Sequence, residues 1–349
     1  MSFKYNFSAV RGIQAKREYY ITMIPINLLS KLFVNQDDYI SPEFRAQRCI
    51  NEYRIPEMKS YILDNLESYV FSALSASIDG DFKFIASEKN SNIGILEVDM
   101  HAVFLINDGQ HRKTALEEAL KENPEIGDET ISVVFFKDEG LKRSQQMFAD
   151  LNKHAVKSTM SLSTLYDNRD EFANIVKYVI DNNSFLNKYI DKEKDILGKN
   201  SMRLFTLANF LRANKKIVRE YDDVNKTKEF LLNYWTILLH NIDEFKLLEE
   251  KLLYKKDLRE DYILTLSVTL QIFGRLGKTF YDNHLDLEIL KKIKKVDWTR
   301  SNPEWTNRII NEVGKILNSE DAIIKGTNLV KQKLGIKLTR EEEVKENEI

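Results

Sequence analysis

The sequence predicts an α+β protein, with a mixed α/β domain first and an all-helical domain after it. Three observations carry this. Strand-like alternation and clusters of β-branched and aromatic residues are concentrated before about residue 163. Beyond that point apolar residues recur at helical spacing. Between the two, an apolar strand runs into Asp108-Gly109-Gln110-His111-Arg112 and straight on into an amphipathic helix. With 349 residues, 43 % of them hydrophobic, the chain is long enough to fill two cores. The expected division is residues 1–165 for the α+β domain, 166–340 for the helical domain, and 341–349 for a solvated or disordered acidic tail.

Taken in order, residues 5–10 and 19–24 read as strands. Pro25 precedes a short apolar helix over 26–33. Ser41-Pro42-Glu43 has the cap, first-turn proline and acidic residue of a helix start, and Pro56 opens another helix through Met58, Ile62 and Leu66. Residues 70–78, 82–86, 94–98 and 102–106 follow as strands, with Asp79-Gly80 as a hairpin turn between the first two. A helix over 113–121, a strand over 130–136 and a helix over 141–152 complete the first domain. The second domain is expected to hold helices over 172–180, 204–218, 227–239, 262–276 and 288–293. No internal repeat or low-complexity linker interrupts the chain.

Bulk composition narrows the function classes. Charged residues make up 30 % of the chain, yet the net charge is only −2. Nucleic-acid contact therefore has to come from a local patch. The single cysteine, Cys49, excludes an internal disulfide and a cysteine-based zinc cluster and fits a reducing cytoplasm. No apolar run reaches the ~18–20 residues of a membrane span, and the first residues lack the apolar core of a signal peptide. A cytoplasmic protein without membrane contact is expected. His101, His154, His240 and His284 show no spacing that puts two on one helix face, so no metal site is expected.

The 108–112 run carries the chemistry. A strand feeding a glycine turn into a helix leaves backbone N–H groups pointing outward at the positive end of the helix dipole. Such an end suits a phosphate, with His111 and Arg112 beside it as side-chain donors. Asp108 is placed at the N-cap or beside a phosphate-bound metal, and Gly109 where positive φ or close backbone approach is needed. The sequence leaves open whether the phosphate belongs to a nucleotide, to DNA or to a reacting substrate. No catalytic residue is assigned.

Asp-Gly-Gln-His-Arg, followed by Met147-Phe148-Ala149-Asp150-Leu151-Asn152, resembles the DGQHR-domain family, and within it the DndB branch associated with bacterial DNA phosphorothioation (DNA sulfur modification). The likeness includes Ser72-Ala73-Leu74-Ser75-Ala76, Val134-Phe135-Phe136-Lys137-Asp138, Arg143-Ser144-Gln145-Gln146-Met147 and Leu165-Tyr166-Asp167-Asn168-Arg169-Asp170. It continues through Asp297-Trp298 and Asn302-Pro303-Glu304-Trp305, essentially the full length. The resemblance implies a cytoplasmic DNA-binding transcriptional regulator that represses its own modification operon.

A more distant similarity is to the ParB/sulfiredoxin-type fold, in which a Gly-x-x-Arg turn binds nucleotide phosphates. It aligns Gly109-Gln110-His111-Arg112 with that turn, Arg45 and Arg48 with a first arginine box, and Asn152-Lys153 with a third. Gln110 stands where sulfiredoxins carry their reactive cysteine, so thiolate chemistry is not expected. It also replaces the ParB glutamate, which leaves nucleotide binding (ATP or CTP with Mg) open while weakening the case for its hydrolysis.

The phosphate or nucleotide site is accordingly expected at Asp108, Gly109, Gln110, His111, Arg112, Arg48 and Asn152. DNA contacts are expected from Arg143, Lys153 and Lys157, aided by the small polar run Ser158-Thr159-Met160-Ser161. Further contacts come from a basic helix side carrying Arg203, Arg212 and Lys215 with Lys216 and Arg219, or from the cluster Lys291, Lys292, Lys294 and Lys295. Trp298 and Trp305 are expected to lock a loop. The expected partners are double-stranded promoter DNA, other phosphorothioation proteins and a second copy of the chain, since dimers read palindromic operators. The rival reading from a different class is a nucleotide triphosphatase or phosphotransferase built on the same turn; a scaffold for modification enzymes is a third.

Overall fold

The computed structural model describes residues 3–33, 52–153, 158–198, 201–221 and 223–349. The helix start at Ser41, together with Arg45, Arg48, His154 and Lys157, lies outside the described residues. The chain is mixed α/β and forms two compact units, 1–156 and 157–349.

The first unit is built on a seven-stranded sheet in the order β4-β5-β1-β2-β7-β3-β6. Its strands are β1 (Lys4–Gln14), β2 (Arg17–Pro25), β3 (Leu74–Asp79), β4 (Phe82–Ala86), β5 (Ile93–Asp99), β6 (Val103–Asp108) and β7 (Thr130–Lys137). Every pairing is antiparallel except β3 with β7. Period-2 alternation buries Phe7, Tyr20, Ile24, Leu96, Val98, Phe104, Val133 and Phe135 in one core. Helices α1 (Ile26–Leu32), α2 (Ile55–Leu63) and α3 (Gln110–Glu122) close that core with Leu29, Ile62, Ala115, Leu116 and Ala119. Helix α4 (Leu141–Lys153) packs against β6. The strand expected from residue 70 starts only at Leu74, and Ser72 serves the site described below. Strands β3 and β4 are not hydrogen-bonded neighbours, so Asp79-Gly80 links them without forming the expected hairpin.

The second unit is almost entirely helical. It contains α5 (Met160–Tyr166), α6 (Glu171–Asp181), α7 (Ser184–Tyr189), α8 (Leu207–Ile217), α9 (Val224–His240), α10 (Asp243–Glu249), α11 (Lys255–Asp261), α12 (Ser267–Asp282), α13 (Glu320–Leu334) and α14 (Arg340–Glu346). Its core holds Phe210, Tyr234, Trp235, Phe273 and Phe280. Trp298 and Trp305 are buried and stacked at 5.5 Å, and Trp305 Nε1 donates to Asp297 O at 2.8 Å, locking the loop as expected.

Five further expectations differ from what the structure shows. The division falls at 156/157 rather than 165/166, because residues 159–161 are tied to the second unit. Ser161 Oγ donates to Asp195 Oδ1 at 2.8 Å and accepts from Ala208 N, while the Met160 and Ser161 N–H groups donate to the same carboxylate. The helix expected from 204 starts at Leu207, since Phe205–Thr206 pairs as a short strand with Ile190–Asp191. The helix expected from 262 starts at Ser267, Tyr262 being bridged to Thr299, and the 288–293 helix is a 3₁₀ segment, Leu287–Lys295. The acidic tail is ordered. Thr339 and Glu342 form a capping box for α14, and Glu342 reaches Lys331 at 2.7 Å in the interior.

Candidate phosphate-binding site

The site begins with a break in sheet register. Ser75 lies opposite Asp108 and Ala76 opposite Ile106, so Asn107 is an extra residue in β6. A bulge of this kind bends a strand and re-aims the residues after it. Asn107 is buried, and its Nδ2 donates to Ser77 Oγ at 2.7 Å and reaches Met147 Sδ of α4 at 3.4 Å. The two family-type segments thus meet at the residue just before the turn.

Gly109 follows with φ 100° and forms the N-cap of α3. A Cβ there would stand 2.5 Å from Leu74 Cδ2 and 2.8 Å from Arg112 Nη2, so the position requires glycine for both backbone and space. The cap offers no side-chain acceptor to the first-turn N–H groups. Gly109 rather than Asp108 is therefore the N-cap, the first of the two roles the sequence left open for Asp108. It is the last residue of β6, and its Oδ2 accepts from Arg112 Nη2 at 2.7 Å. Arg112 Nη1 also donates to Ser72 Oγ. These two bonds engage two of the five N–H donors that a guanidinium carries. They hold it over the turn with 17 % of its side chain exposed.

Along the face of α3 that starts at the turn, Gln110 Nε2, Thr114 Oγ1 and Glu117 Oε1 are each shielded from solvent without a hydrogen-bond partner among the described residues. Spacings of four and three put them on one side of the helix. Native structures rarely leave such atoms unsatisfied, so the row is concentrated hydrogen-bonding capacity leading away from the cap. Beside it Lys113, 4 % exposed, pairs with Glu117 Oε2 at 2.8 Å. Burial raises the Glu117 carboxyl pKa, with the Lys113 ammonium opposing the shift.

The other expected residues are placed unevenly. Asn152 and Lys153 end α4, the helix that packs on β6, while Arg143 lies in its first turn with Lys142, where no acidic residue balances them. Cations at a helix start oppose the dipole by a few tenths of a kcal/mol. Gln110, His111 and Arg112 open α3 together. In the second unit Arg203 precedes α8 and caps α7, donating to the carbonyls of Asn187 and Lys188. It does not share a helix side with Arg212 and Lys215, and Arg219 lies past the helix end. Arg212 and Lys215 are exposed on α8, with Asn209 and Asp170 as their nearest partners, at 3.2 and 3.8 Å. Lys216 pairs with Glu320 at 2.6 Å and Lys291 with Glu288 at 2.5 Å. Thr159 and Ser161, expected to donate to phosphates, are spent on the Glu193 and Lys194 carbonyls and the Asp195 carboxylate.

Sequence reasoning missed Ser72, Asn107 and the Lys113–Glu117 pair. Only the i,i+4 spacing of the pair was a readable signal. Among the described residues no three His, Cys, Asp or Glu side chains converge, and no helix is long and apolar enough to cross a membrane.

Comparison with known proteins adds the context. The family model described as DndB, DNA-sulfur modification-associated, matches residues 7–337. Over 215 residues the chain is 26 % identical to the SPbeta prophage-derived uncharacterized protein YopQ of Bacillus subtilis (strain 168), covering 56 % of this chain and 44 % of that protein. The match thus spans less than half the length of that relative. No solved structure matches. With nearly its whole length matched, the chain belongs to the DndB family of DNA-sulfur modification-associated proteins.

Proposed function

We propose that this protein is a cytoplasmic, DNA-binding transcriptional regulator that represses a bacterial DNA phosphorothioation gene cluster, and that the 108–112 turn holds the phosphate on which its control depends. The reading rests on one observation above the others: α3 starts at a left-handed glycine with no side-chain cap, and Arg112 is fixed over that start. Unsatisfied N–H groups, the dipole and a guanidinium then act on one anionic oxygen group. Family membership supports the DNA-modification context.

Asp108 shapes the choice of ligand. Its carboxylate beside the cradle repels a bare phosphate; Asp108 would hold a Mg²⁺, whose charge would offset that repulsion. The residues present therefore fit a Mg-nucleotide, ATP or CTP. Exposed Lys142, Arg212 and Lys215, with half-buried Arg143, are the cations best suited to the backbone of double-stranded promoter DNA, and a homodimer is the arrangement that reads a palindrome.

The second reading, a nucleotide hydrolase, draws on the same Asp108–Arg112 pair. Steady-state turnover of ATP and CTP separates the two. The regulator reading expects promoter DNA binding with no turnover; turnover lost in Asp108→Ala replaces it with the hydrolase.

A further inference from the structure

The second unit contains a cleft of about 450 Å³ between α12, α13 and the start of α14. That volume lies in the range of small-molecule sites. One face of α12 lines it with Arg275, Lys278, Thr279 and Asp282 at helical spacing, and Lys331 and Lys337 contribute from the other side. Leu285 and Ile336 add an apolar part to the wall.

The charges in this cleft are not equally spent. Lys331 is held by both Glu342 oxygens at 2.7 and 2.9 Å, and Lys278 by Asp282 at 2.5 Å. Arg275 is held less closely. Its carboxylate neighbours, Glu342 Oε1 and Glu320 Oε1, stand at 3.6 and 3.9 Å, beyond hydrogen-bonding distance. Its Nε is shut off from solvent with no partner among the described residues. A guanidinium offers two parallel N–H bonds along one edge, the arrangement that a phosphate or carboxylate accepts. Lys337 lines the same cleft and is exposed. With Asp282, Glu341 and Glu342, the lining carries four cations against three carboxylates.

We infer that this cleft binds a small organic phosphate, its oxygens taken by Arg275 and Lys337 and its apolar part resting on Leu285 and Ile336. Phosphate rather than carboxylate follows from the two separate cations, which a group with three terminal oxygens can engage together. The site is independent of the 108–112 turn, so either can fail without the other.

Calorimetric titration of the full chain with phenyl phosphate and with inorganic phosphate tests it. Phenyl phosphate is expected to bind in the submillimolar range and inorganic phosphate several-fold more weakly. In the Arg112→Gln background, which removes the turn's own phosphate contact, Arg275→Gln and Lys337→Gln should each weaken phenyl phosphate about tenfold, the loss of one charge-assisted bond. Lys337 is not buried, so its variant keeps the test decisive if Arg275→Gln disturbs folding. No measurable binding of either probe overturns the inference, as does parental affinity in Lys337→Gln. Equal affinity for the two probes removes the organic ligand, and loss confined to Arg112→Gln sends the phosphate to the turn instead.

Discussion

The two units differ in how many of their helix starts are capped by a side chain. In the helical unit, α5, α6, α7, α8, α9, α13 and α14 are capped by side chains of Thr159, Asp170, Asn183, Thr206, Asp223, Ser319 and Thr339, while α10, α11 and α12 start without a side-chain cap. In the first unit, α1, α2 and α3 have no side-chain cap. Of these, α1 follows Pro25 and α2 carries Pro56 in its first turn, whereas α3 starts with a left-handed glycine alone. A capped end has spent its N–H groups on stability. An uncapped one beside an arginine keeps them for a ligand. The difference teaches that most helix starts of the helical unit are committed to stability, while α3 combines an uncapped left-handed glycine start with a guanidinium held over it, which leaves that turn open to an anion.

Four substitutions break or sharpen that contrast, from the largest expected effect to the smallest. Trp305→Ala removes a buried ring stacked on Trp298 and should cost about 3–5 kcal/mol. Hydrogen exchange should show the loss in the helical unit, with the amides of β6 and α3 protected as before. Uniform loss of protection in both units would show that they unfold as one body and erase the distinction.

Glu342→Gln leaves Lys331 buried without its counter-charge and should cost about 3 kcal/mol in denaturant melts near neutral pH. Burial pushes the Glu342 carboxyl up, but the Lys331 ammonium and the Thr339 N–H outweigh it and hold it below the usual range. A lowered folded pKa adds stability above the unfolded value, about 4.3, and that stability disappears as pH falls through the folded value. The gap between parent and Glu342→Gln should therefore narrow on acidification below about pH 4.

Gly109→Ala forces an L-residue into φ 100° and against Leu74, with an expected cost of about 1–3 kcal/mol. Its effect on phosphate-dependent binding should exceed its effect on melting, because the turn rather than the core is displaced. Thr206→Ala removes one cap of α8 and should cost about 1 kcal/mol, with DNA affinity unchanged. A fall in affinity matching that of Gly109→Ala would mean that capped and uncapped ends do not differ in role.

The sequence showed what local physics encodes and hid what depends on distant partners. Alternation placed the strands to within a few residues, and Gly109 was legible because a strand-to-helix turn needs left-handed backbone. The Asp108 cap was misjudged because a carboxylate next to a glycine turn looks the same whether it accepts from N–H groups or from an arginine four residues on. The Ser72 contact spans 40 residues and the Asn107 bulge depends on the register with β3; neither leaves a local trace. The charge run at 341–343 obscured the Thr339…Glu342 capping box beneath it, and burial of Lys331 depends on that helix folding back.

The central claim is that Arg112 and the start of α3 take a phosphate. Salt-titrated shift assays on promoter DNA, with and without Mg-nucleotide, test it when run on the parent, Arg112→Gln and Asp108→Asn. Asp108→Asn weakens the same ion pair from the other side while sparing the guanidinium. The account predicts that Arg112→Gln loses about one phosphate's worth of salt slope, roughly 0.9, or the nucleotide dependence of binding, and that Asp108→Asn keeps the parental salt slope. Identical slopes and nucleotide response in parent and Arg112→Gln would contradict it, as would an equal loss of salt slope in Arg112→Gln and Asp108→Asn.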